Sequence, residues 1–228
     1  MMQSPLPTEV VSALASAYAG ITAAVTDLDD LDLLLPSACR GWSVADLLFH
    51  VTLDAQRALV ALAIPADAAP DVDFITYWSD SATDPDAALA HAQWVRRSTA
   101  AFARPCGIVP LWSETATAAM HAAARADPTG RISTQGHVLT VPNFVATLVT
   151  EAVVHHLDLI ALLPGANPPA TGGVAITRRT LDGLAAPDGL PPTWGELEAI
   201  RKATGRAALT TFDRSTLGDR ADLFPLLS

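Results

Sequence analysis

Cysteine is scarce in this chain: two residues, Cys39 and Cys106, in 228. They lie too far apart for a CxxC metal or redox pair, and a disulfide framework is excluded; both read as plain structural thiols of a reducing compartment. Basic residues are also few, 14 Lys and Arg against 24 Asp and Glu, for a formal charge of −10 and a pI near 4.8. That balance opposes phosphate backbones and anionic lipid surfaces, and no Lys/Arg cluster offsets it, so nucleic acid and membrane are excluded as expected partners. No stretch approaches the roughly 18 uninterrupted apolar residues of a membrane span. Ahead of Arg40 there is no Lys or Arg, so the start lacks the basic region of a secretory signal and the expected location is the cytoplasm.

What is present is apolar residue in helical rhythm. Half the chain is apolar and 17% charged, which excludes a disordered polymer and suits one substantial core with a small appendage. Three- and four-residue steps of Val11, Leu14, Ala15, Tyr18, Ile21 and Val25 predict a helix from Thr8 to about Leu28. Ser43 with Asp46 reads as a capping box, opening a second helix from Ser43 to Ala63. A third is expected from Asp86 to Ala103, started by Asp84-Pro85, and a fourth from Pro110 to Ala126. Alternation between Arg131 and Val141 around Gln135-Gly136 predicts a short hairpin. Pro142 then opens a strongly apolar helix that ends at Leu163, before Pro164-Gly165. Beyond a Pro/Gly linker, two short helices are expected over Val174–Leu184 and Thr193–Thr204. The economical fold is all-α: an antiparallel four-helix bundle over 1–165, with the hairpin before its last helix and a small helical extension over 166–228 packed on it.

Glu151, His155 and Asp158 interrupt the apolar face of that last helix. An unpaired buried carboxylate costs several kcal/mol, a large share of a domain's net stability of roughly 5–15 kcal/mol, so Glu151 needs a partner. Glu151 and His155, four apart, stand one turn above each other and could share a metal ion; a simple carboxylate–imidazole pair would serve as well. A third ligand must come from another helix. His50 is the candidate, in a stripe with Asp46, Asp54 and Arg57 that otherwise reads as a solvated face. Asp158 is placed to orient a ligand histidine through a hydrogen bond. His156 points elsewhere, and His91, His121 and His137 have no evident partner.

Two segments, Gly41-Trp42-Ser43-Val44 leading to Asp46-Leu47-Leu48-Phe49-His50, and Glu151-Ala152-Val153-Val154-His155-His156-Leu157-Asp158-Leu159, resemble the mycothiol-dependent maleylpyruvate isomerase family of the wider DinB-like superfamily. The resemblance covers about Thr8 to Leu163. It implies a DinB-like bundle whose metal ligands carry over to His50, Glu151 and His155, with mycothiol as the thiol co-substrate. At the C-terminus the chain departs from the family, whose isomerase has a sizeable second domain, although Ala203-Thr204-Gly205-Arg206 is similar to an element near the end of such proteins. Two imidazoles and a carboxylate suit zinc first, with nickel or ferrous iron also fitting, and leave an open coordination place. The expected function is a metal-dependent thiol transferase or isomerase joining a low-molecular-weight thiol to a small-molecule electrophile. A metal-dependent hydrolase and a non-catalytic metal- or ligand-binding bundle, its shell closed by Asp158 or Asp54, are the alternatives. A homodimer is compatible with all three.

Overall fold

The computed structural model describes residues 6–79 and 85–227. Four long helices close a ring: α1 (Pro7–Val25) packs on α6 (Val141–Ile160), α6 on α3 (Val44–Ala63), α3 on α5 (Ile108–Arg125), and α5 back on α1. By length and composition α1 alone among the described helices is apolar enough to cross a membrane. Here its Val10, Leu14, Tyr18 and Ile21 face is buried in the core. Trp112 of α5 locks the ring, packing edge-on to Tyr18 at 5.1 Å and donating its indole N–H to Thr22 Oγ1 at 3.0 Å.

The start of α3 is the predicted capping box: Asp46 N–H donates to Ser43 Oγ at 3.2 Å and Ser43 N–H to Asp46 Oδ2 at 2.9 Å. Ahead of it lies α2 (Asp30–Leu33), a single turn capped by Asp29, which the sequence reading passed over. α4 (Pro85–Thr99) packs on the outside of α3, shorter than the expected Asp86–Ala103. Of its start signal, Asp84 lies outside the described residues.

β1 (Arg131–Thr134) and β2 (His137–Thr140) pair antiparallel around Gln135-Gly136, both at positive φ (48° and 84°) as a tight two-residue hairpin turn requires. Thr140 then caps α6, accepting from Asn143 N–H at 3.3 Å. α6 is the central helix: all its residues except Glu151, His155 and Ile160 are buried. Past Gly165, α7 (Thr171–Leu184) lies against α6 and α1, and α8 (Glu196–Ala203) packs on α7. A last short helix, α9 (Thr211–Leu217), leads into a 3-10 turn. Lys202 on α8 bridges to Asp213 on α9 at 2.7 Å under the Trp194 ring.

Candidate metal centre

Helix periodicity brings Glu151 and His155 onto one edge of α6, where Glu151 Oε2 lies 3.1 Å from His155 Nε2. Directly across stands His50 of α3, its ring perpendicular to that of His155 with centroids 4.9 Å apart. One donor atom from each of His50, Glu151 and His155 falls within 4.8 Å of the other two. Bonds of about 2.0–2.2 Å would put tetrahedral ligand atoms about 3.4 Å apart, so closing on an ion asks for side-chain shifts of about an ångström. The donor set and the spacing fit a divalent metal.

Glu151 is less enclosed than the sequence suggested. Its side chain is 30% exposed because α6 turns this edge toward two cavities rather than into packed core.

The opposite nitrogen of His155 is equally well held. Nδ1 lies 3.1 Å from Asp158 Oδ2, and Asp158 in turn receives both Nε and Nη2 of Arg206 at 2.7 Å. With Nδ1–H donating to Asp158, Nε2 keeps its lone pair for an ion, the arrangement typical of metal-ligating histidine. Burial raises the Asp158 carboxyl, but His155 and Arg206 outweigh it and hold the group well below the usual carboxylate range. Burial would lower His155, yet hydrogen bonds to Asp158, Cys39 and Glu151 with the Glu151 charge raise it well above an ordinary imidazole. Glu151 is pulled down by the same pairing with His155, against its own burial. His50 is pushed down to about 3, first by burial and then by the charge of His155.

Several further residues reach the site. The loop between α2 and α3 turns at Gly41 and is pinned to α6 by Ala38 N–H donating to Asp158 O at 3.0 Å. It sets Cys39 Sγ 3.3 Å from Asp158 Oδ2 and 3.9 Å from His155 Nδ1, so this thiol belongs to the site's surroundings and is not simple core. Cys39, His155 and Asp158 also form a compact donor group, but the paired Arg206 already neutralises Asp158. His91, read as partnerless, extends from α4 to place Nε2 3.3 Å from His50 Nδ1. Trp42 stacks obliquely on His50 at 5.1 Å. From the predicted stripe on α3, Asp54 is buried and paired with Arg57 at 3.0 Å; its Oδ2 has no hydrogen-bond partner among the described residues and lies 3.7 Å from His50 Nε2. Desolvation pushes Asp54 up to about 7. His156 points to the far side of α6, and His137 pairs with Asp71 at 3.1 Å.

Fold and geometry together define a class: a helical bundle with a candidate His/Glu/His metal centre where α3 faces α6. The family model described as mycothiol maleylpyruvate isomerase N-terminal domain matches residues 14–160, and the chain belongs to that family. Two solved structures share the fold, a mycothiol-dependent maleylpyruvate isomerase and a histidine-to-alanine mutant of it. Each is 14% identical, covering 81% of this chain and 71% of theirs, with TM-scores of 0.53 and 0.54. No curated protein matches.

Proposed function

We propose that this chain is a metal-dependent thiol transferase or isomerase of the cytoplasm. Residues 1–165 form its metal-binding bundle and 166–228 an extension that braces it. His50, Glu151 and His155 hold one divalent ion, zinc first among the candidates, and the co-substrate is a low-molecular-weight thiol such as mycothiol. The observation that carries this reading is the convergence of three donor atoms within 4.8 Å from two helices, in a chain of this family.

A divalent ion bound there supplies the charge that ionises a thiol at neutral pH, where a free thiol with a pKa of about 8.5 is only a few per cent thiolate. The chain's residues prepare for it. Asp158 accepts the Nδ1 proton of His155 and fixes its tautomer, Arg206 holds Asp158 in place by two hydrogen bonds, and the low basicity of His50 keeps that imidazole unprotonated. Asp158 is engaged on the far nitrogen of His155, which counts against its closing the shell and favours an open place for substrate.

Elemental analysis of the purified protein beside His50→Ala and Glu151→Ala, after chelation and reloading, tests the centre. About one equivalent of metal in the wild type and loss in both variants is expected. Addition of thiol to an electrophile is then assayed with and without mycothiol. A wild type that takes up no metal sinks the proposal, and turnover that ignores thiol turns it toward a hydrolase.

A further inference from the structure

α4 reaches the candidate centre through one side chain. Val95 and Thr99 are its buried residues, and His91 stands one turn before Val95 on the same face, as a four-residue step dictates. α4 packs on α3, and this brings His91 Nε2 to 3.3 Å from His50 Nδ1, with the ring centroids 5.4 Å apart and the planes at 75°. We propose that His91 is a positioning residue of the metal centre: its Nε2 accepts the Nδ1 proton of His50 and so selects the tautomer that leaves His50 Nε2 free for an ion. The inference rests on the centre proposed above and adds a residue outside its donor set.

Two imidazole nitrogens form a hydrogen bond only when one carries a proton and the other does not. One of the two arrangements leaves His50 Nε2 bare; the other puts the proton there. The surroundings favour the first. Asp54 Oδ2 lies 3.7 Å from His50 Nε2, past hydrogen-bond reach, so a proton on Nε2 has no acceptor in Asp54, whereas a proton on Nδ1 has one in His91. A metal-ligating histidine almost always donates its other ring N–H to a fixed acceptor, which sets both tautomer and ring orientation. His155 has Asp158 in that role. His91 is the counterpart on His50, and being an imidazole it adds no negative charge beside Glu151.

Ring packing holds this acceptor in place. Trp42 lies against both imidazoles, its ring 5.1 Å from His50 and 6.3 Å from His91. Trp94 of α4 lies 6.0 Å from His91 and 6.0 Å from Phe49 of α3, which meets Phe102 at 6.2 Å. These contacts fix α4 against α3 at the level where the two histidines meet. The same helix walls a cavity of about 640 Å³ beside the centre through Ala87, Ala88 and Ala92. The group that steadies His50 is thus carried by the wall of the centre's open side.

His91 is exposed, so replacing it leaves the core intact. Histidine-ring ¹⁵N–¹H correlation spectra of the metal-free protein should show the His50 proton on Nδ1 in the wild type. His91→Gln, whose Oε1 can accept in place of Nε2, should keep it there, and His91→Ala should shift it toward Nε2. Zinc competition against a chelator should find His91→Ala weaker by about tenfold to a hundredfold and His91→Gln close to the wild type. A His50 proton on Nε2 in the wild type, or one that stays on Nδ1 in His91→Ala, overturns the role. So does equal zinc affinity in the wild type and His91→Ala. Three imidazoles on zinc by X-ray absorption, instead of two, would make His91 a ligand and likewise overturn it. A wild type that takes up no zinc sinks the metal centre, and the tautomer spectra, which need no metal, then decide the His91 contact by themselves.

Discussion

His155 has a carboxylate at each ring nitrogen, and on the proposed function that pairing would make metal capture a competition with protons. Glu151 and Asp158 favour the imidazolium and raise its pKa; an ion would have to displace the Nε2 proton. Metal affinity should therefore rise with pH until the raised pKa is passed, and level off above it. In the metal-free protein the same shift acts on stability with the opposite sense. Its contribution is complete below the unfolded imidazole pKa of about 6.5 and is lost as pH climbs through the higher folded value. Chelator competition and urea unfolding across pH 6–9 check both slopes, and an affinity that is flat with pH would exclude the imidazolium pairing. Glu151 and His155 were legible in sequence because a four-residue step on a helix leaves little choice of geometry, and His50 because it sits in a motif. Cys39 and His91 were not. A turning loop without periodicity brings in Cys39, and His91 comes from the predicted α4, whose packing against α3 depends on tertiary contact.

Element boundaries show the same division. The capping box at Ser43 and the Gln135-Gly136 turn were legible because the local side chains themselves satisfy the backbone. The single turn of α2 escaped because four residues carry no period, although Asp29 and Asp32 repeat the capping logic seen at Ser43. The close approach of α7 to α6 could not be read at all, since it depends on tertiary contact. A methyl group placed on Gly173 would lie 2.8 Å from Val153 Cγ2, within a helix pair that is buried on this side. Gly173→Val should therefore destabilise the protein by about 1–3 kcal/mol through overpacking, read as a fall of several degrees in Tm. An unchanged Tm would mean that α7 is not held against α6 at this distance.

At the scale of the whole molecule, the extension is tied to the bundle through one buried ion pair. Asp158 is 2% and Arg206 18% exposed at the side chain, and within the extension the last residues are fastened to α8 by Leu226 N–H donating to Ala203 O at 2.8 Å. Removing the cation strands a buried carboxylate, so Arg206→Met should cost about 3–5 kcal/mol in metal-free protein. Adding Asp158→Asn to it should cost less than the sum of the two single changes. Strict additivity in urea denaturation would show that the pair is not coupled. The bundle's four helices were foreseen from apolar spacing, whereas the brace was visible only as a Thr-Gly-Arg element without an assigned role. Arg206 follows Asp158 by 48 residues, so during synthesis α1 through α6 can assemble while the guanidinium that neutralises Asp158 is still to be made. An ion captured by the nascent bundle would sit on a His155 whose carboxylate support is not yet anchored. Firm retention of such an ion would thus be a late event in the life of each newly made chain.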